Sequence, residues 1–169
     1  MKYIALLLTL FIFTSCELIF PDPPEPELPP ITTTGENTFG AIVNGEIRTT
    51  SSSFFITALH PRDSILQISG ELRDGDSRFI IGFGLNRDAA AVKEYNSTFG
   101  NAFFVFNNID DCVLDSGTDN DVIYEGKFEI IHLDPINQIM SGTFEYTISK
   151  QGCSEIKVTD GRFDVRYRI

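Results

Sequence analysis

The 169-residue chain has no tryptophan, two histidines and three cysteines. Without indole it lacks the side chain that stacks best on sugars and cations, although five tyrosines offer a partial substitute. Basic residues are also scarce, with 13 Lys and Arg against 24 Asp and Glu and a formal net charge of −11. That balance disfavours nucleic acid, whose phosphates recruit Lys and Arg, and electrostatic adsorption to anionic lipid. Acidity of this degree serves solubility and repulsion from neighbours. No apolar run approaches the roughly 20 residues needed to cross a bilayer as a helix.

The N-terminus has an export pattern. Lys2 precedes an apolar stretch, residues 3–13, interrupted by Thr9. It is too short to span a membrane and has the length of a cleaved signal. Phe13-Thr14-Ser15-Cys16 resembles a lipobox, with Phe13 where Leu, Val or Ile is usual. The resemblance implies a diacylated Cys16 as the mature N-terminus and a membrane as its partner. Residues 1–15 are therefore expected to be a lipoprotein signal peptide, and residues 16–37 the lipidated cysteine and a tether. Residues 38–169 are expected to form a single all-β domain. Six of the eight prolines fall within residues 21–30. Proline favours extended polyproline II, so these residues reach about 30 Å as a semi-rigid spacer. A docking ligand for an SH3-like domain is the alternative, but direct succession to the anchor favours the spacer.

Cys112 and Cys153 remain. Export places them where disulfides persist, and two candidates allow one pairing. Joining them should stabilise the fold by about 4 kcal/mol through loop-closure entropy. No CxxC pair or nearby histidine accompanies either, so a metal site is not expected.

From Thr38 onward, apolar and polar residues alternate between turn signals. Asn44-Gly45 reads as a hairpin turn because both residues tolerate positive φ. Leu66, Ile68, Gly70 and Leu72 share one strand face, as do Phe79, Ile81, Phe83 and Leu85. Residues 103–106 are apolar on both faces, the pattern of a strand covered from two sides. The parity of residues 123–133 changes at Ile130-Ile131, which suggests a bulge. Met140, Gly142, Phe144, Tyr146 and Ile148 share a face, with Gly142 leaving room for a neighbouring ring. Asp160-Gly161 reads as a turn between two last strands. In the second of these Arg162, Asp164 and Arg166 form an outer charged ladder. Residues 88–95 read as a short helix capped by Asp88. The fold expected is all-β, an antiparallel β-sandwich or flattened β-barrel of about eight to ten strands with at most one short helix.

Candidate chemistry is sparse. His60 and His132 are the available bases, and no Gly-x-Ser-x-Gly elbow is present. Asp110, Asp111, Asp115, Asp119 and Asp121 are hard oxygen ligands of the type that suits calcium. Their spacing does not fit the calcium-loop motif, and a solvated acidic loop accounts for them equally. Gly82 and Gly84 could floor a ligand cavity, or could accommodate neighbouring rings. No catalytic residue and no cofactor is expected.

The chain ends in Ile131-His132-Leu133-Asp134, then Met140-Ser141-Gly142-Thr143-Phe144-Glu145-Tyr146, then Ile156-Lys157-Val158-Thr159-Asp160-Gly161-Arg162-Phe163-Asp164-Val165-Arg166-Tyr167. Nearer the start come Leu28-Pro29-Pro30, then Gly35-Glu36-Asn37-Thr38-Phe39-Gly40, then Val43-Asn44-Gly45. These segments resemble a Bacteroidota-type lipoprotein family of unknown function. The resemblance implies a lipid-anchored β domain and brings no catalytic residues. The functional expectation is an envelope lipoprotein at the outer membrane, on either leaflet. Its β domain would be non-enzymatic, structural or binding a partner protein, glycan or envelope component. A small barrel holding an apolar ligand is the alternative, prompted by 15 phenylalanines and the glycine face. A hydrolase is a distant third.

Overall fold

Alternating side chains lay down eleven strands in the computed structural model, which describes residues 27–60, 65–74, 77–85, 90–97, 102–108 and 112–169. The signal segment, Cys16 and most of the proline-rich stretch lie outside the described residues. The strands are β1 (Thr38–Val43), β2 (Glu46–Thr50), β3 (Ile56–Leu59), β4 (Leu66–Asp74), β5 (Ser77–Leu85) and β6 (Lys93–Asn96). They continue with β7 (Ala102–Asn108), β8 (Val113–Asp115), β9 (Ile123–Asp134), β10 (Ile139–Ser149) and β11 (Ile156–Arg166). One sheet has six strands in the order β2-β1-β11-β10-β9-β6, and the other has five in the order β3-β4-β5-β7-β8. All paired strands are antiparallel. One isolated parallel bridge, Leu59 with Arg168, links β3 to the chain beyond β11, but the sheets do not close, so the molecule is a β-sandwich and the barrel alternative falls away.

Turn chemistry sets the register. Asn44 and Gly45 take φ of 50° and 91°, and Val43 pairs with Glu46 across them. At the β9–β10 turn, Asp134 Oδ1 accepts the backbone N–H of Ile136 at 2.8 Å and of Asn137 at 3.0 Å. The hydrogen bonds from Asn137 hold that carboxyl below its usual range. Ser141 pairs with His132 and Gly142 with Ile130, which leaves Ile131 as the expected bulge.

Rings from both sheets fill the interior. Phe83 is fully buried, its centroid 4.6 Å from Phe128, 4.9 Å from Phe144 and 5.3 Å from Phe163. Phe39 stacks on Phe144 at 5.0 Å, and Phe104 meets Tyr146 at 5.0 Å. The Tyr146 hydroxyl donates to the Val105 carbonyl at 2.8 Å, which joins the sheets by a hydrogen bond, and burial raises its pKa. A β-carbon on Gly142 would meet the Glu129 carbonyl at 1.8 Å and the Phe163 ring at 2.8 Å, so the expected room for a ring is real. Gly84 serves the same purpose for Phe103, whose ring would lie 2.4 Å from a β-carbon there. Phe103 is thereby buried on the outer face of the five-stranded sheet, beneath the turn that carries Gly117.

Two expectations are corrected. Lys93–Asn96 is not helical but pairs with β9 as an edge strand. Stacking of Tyr95 on Phe128 at 5.0 Å decides this, because burying a ring outweighs the weak propensity of a two-turn helix. Asp160-Gly161 is not a turn but a bulge within β11, which pairs with β1 and β10 on both sides of it. Asp160 takes φ of 51°, and Gly161 sits against the Phe144 carbonyl and ring, where a β-carbon would come within 2.5 and 2.6 Å.

Cys112 and Cys153 are joined, with Cα atoms 6.0 Å apart. The bond ties the start of β8, in the five-stranded sheet, to the β10–β11 turn of the six-stranded one. Lys150 Nζ and Asp119 Oδ2, 2.5 Å apart, make a second cross-link there.

Candidate functional site

The outer face of the six-stranded sheet is polar because every second residue of β9, β10 and β11 points away from the core. Register sets Glu145 opposite Lys127, Thr143 between Glu129 and Arg162, and Thr147 between Glu125 and Lys157. Two adjoining hollows lie here, of about 260 and 570 Å³, and both are lined by Glu94, Lys127 and Glu145. The Lys127 ammonium is 3.1 Å from Glu94 and 3.8 Å from Glu145. Its hydrogen bond to Glu94 and both charges raise its pKa, so it stays charged. Phe128, Phe144 and Tyr146 border the hollows but bury their rings in the core. These rings therefore offer no stacking platform, and the lining offers hydroxyls, carboxylates and three cations.

An arm formed by residues 29–36, within the span expected to be a spacer, lies on this face. Its clamp is Asp164, which is 1% exposed although it points outward from β11. Asp164 accepts Thr32 Oγ1 at 2.7 Å and the backbone N–H groups of Thr34, Gly35 and Glu36 at 3.1, 2.9 and 3.2 Å. Arg162 Nη1 donates to the Pro29 carbonyl at 3.1 Å, and Arg166 N to Asn37 Oδ1 at 3.1 Å. Gly35 and Asn37, with φ of 76° and 56°, turn the chain from the arm into β1. The expected ladder of Arg162, Asp164 and Arg166 is thus replaced. Three converging N–H groups and a hydroxyl satisfy a carboxylate better than guanidinium groups two residues away. Ile31 on the arm walls the smaller hollow.

Asp164 has Thr38 and Ser141 as its direct neighbours on either side. The Thr38 and Ser141 hydroxyl oxygens are buried without a hydrogen-bond partner among the described residues. His132 is the next residue across from Ser141, but no hydrogen bond joins the two, so the row is not an activated nucleophile and base.

The other candidates disperse. Asp115 Oδ1 accepts Gly117 N at 2.8 Å and Asp119 Oδ1 accepts Asp121 N at 3.0 Å, so these acids shape a turn. Asp110 and Asp111 lie outside the described residues, among which no three acids, histidines or cysteines gather as a metal site. His60 packs edge-on against Tyr167 at 5.6 Å, far along the sandwich from the hollows, and burial lowers its pKa. Sequence reasoning missed the arm clamp, whose partners stand about 130 positions apart. The signal on hand was an outward acid at the centre of a Thr-Asp-Ser row, with a Thr-Gly turn upstream. Comparison with protein-family models, curated proteins and solved structures finds no match.

Proposed function

We propose that the chain is an envelope lipoprotein held by Cys16 whose β domain works by binding, without catalysis, along the outer face of the six-stranded sheet. The adjoining hollows beside Lys127 carry this reading, because the space between the sheets is taken by aromatic rings. An apolar ligand would find that interior filled, whereas a polar partner finds hydroxyls and charges of both signs on the open face. The lipobox-like Phe13 to Cys16 supplies the anchor, and the resemblance to Bacteroidota-type lipoproteins agrees with an outer-membrane location. A photo-crosslinker placed at Thr143 in living cells tests the binding face, with Gln67 on the other sheet as control. One recurring product from Thr143, lost when Glu94 and Glu145 become glutamine, is expected. Equal products from both positions, or none from Thr143, would contradict the reading.

A further inference from the structure

We infer that the arm of residues 29–36 is a latch with two arrangements, held on the sheet by Asp164 and able to release without unfolding the sandwich. The arm is bound mainly through polar contacts, beside small apolar ones of Pro29 with Gly40 and Gly35 with Ile139. Ile31 is 55% exposed, and Gly35 is the one buried residue of the arm. The arm adds no strand pairing, and the core lies on the opposite side of the sheet. Lifting it therefore exposes little apolar surface and opens no cavity. Local openings of this kind cost less than global unfolding.

The row beneath the arm supplies the second arrangement. With the arm docked, both Asp164 oxygens take arm donors, while the flanking Thr38 and Ser141 hydroxyls find no acceptor among the described residues. Leaving a buried hydroxyl unpaired is costly. Directly opposed residues on one sheet face have β-carbons about 5 Å apart, within reach of a rotating hydroxyl. On release, Asp164 loses its arm donors, and Thr38 and Ser141 can turn toward it. The same carboxylate is served in either state, by the arm or by the row. The docked state alone leaves two hydroxyls unsatisfied, which biases the latch toward opening.

Release would free eight residues, adding about 25 Å of reach in polyproline II geometry to the segment that leads back to Cys16. It would also remove the Ile31 wall of the smaller hollow. That last consequence rests on the binding reading, whereas the latch is tested without any ligand.

The test is native-state hydrogen exchange on the full chain purified in detergent, in low denaturant. The Thr34, Gly35 and Glu36 amides are expected to exchange through a local opening that denaturant does not affect, while β10 amides follow global unfolding. Asp164→Asn, whose amide nitrogen meets N–H donors, should speed those three amides roughly tenfold or more and leave β10 unchanged. Ser141→Ala and Thr38→Val should each slow them several-fold, because each removes an unsatisfied hydroxyl from the docked state. A clamp that opens only with the whole fold predicts equal changes in the arm and β10 amides. Arm amides that exchange only with the core, or that speed up in Ser141→Ala and Thr38→Val, would overturn the latch. The wild-type, Ser141 and Thr38 measurements decide the question even if Asp164→Asn fails to fold.

Discussion

Phe83→Ala is expected to destabilise the domain by about 3–5 kcal/mol, the range for truncating a fully buried phenylalanine. Phe83 belongs to β5, yet its ring touches Phe128, Phe144 and Phe163 of the opposite sheet at 4.6 to 5.3 Å. Truncation loses the transfer free energy of the ring and opens a void between sheets whose backbones are held by their own ladders. The neighbouring rings cannot all collapse into one space, so the cost should fall in the upper part of that range. A domain of this size has a total stability of roughly 5–15 kcal/mol, so the variant will be close to unfolding. Phe83→Leu keeps most of the volume and should lose about 1–2 kcal/mol. Urea midpoints at constant m-value measure both. A loss below about 1 kcal/mol for the alanine variant would mean that the sheets are not packed through this ring.

Breaking the Cys112–Cys153 bond is the second large expected effect. The cysteines are 41 residues apart, and closing a loop of that length is worth about 4 kcal/mol in the chain-entropy model. The bond also fixes the two sheets at one end, where β8 contributes only three residues to pairing. Cys112→Ala with Cys153→Ala should lower the melting temperature by about 10–15 °C. The Lys150–Asp119 pair remains in that variant, but its partners are partly solvated and it does not replace the covalent link. A melting temperature unchanged by the double substitution would mean that the loop is already ordered without the bond.

The parts of this fold that were legible in advance are those in which one strand carries its own signal. Leu66, Ile68 and Leu72 alternate with polar residues, and a period of two reads directly as a half-buried strand. Ile130-Ile131 betrays its bulge because an extra residue reverses the parity along one strand. Asn44-Gly45 is a turn by its own conformational freedom. The misread elements needed information from elsewhere in the chain. Asp160-Gly161 has the same local chemistry in a turn and in a bulge. Only the continuous partners β1 and β10 decide between them. Lys93–Asn96 follows an alanine run with helical propensity, and a ring-stacking partner about thirty residues later overrides it.

The face that now carries the functional proposal was the least legible. Glu94, Lys127 and Glu145 are unremarkable surface charges until three strands bring them together. Asp164 read as a salt-bridge partner for the arginines beside it in sequence. Its actual donors arrive from the opposite end of the domain. The two ends of the domain meet on one sheet, which composition could not reveal. Pro29 rests on Gly40 and accepts from Arg162, Gly35 and Glu36 bind Asp164, and Phe39 pairs with Phe163. These two end segments form the arm, its clamp and the strands beneath.

Intact-mass analysis of the chain from fractionated cells reads out whether a lipid on Cys16 holds this sandwich in the envelope, as proposed. The account predicts a membrane-fraction species beginning at Cys16, heavier than residues 16–169 by a diacylglyceryl group, and absent from membranes of cells carrying Cys16→Ala. An unlipidated chain, or unchanged membrane association of Cys16→Ala, would contradict it.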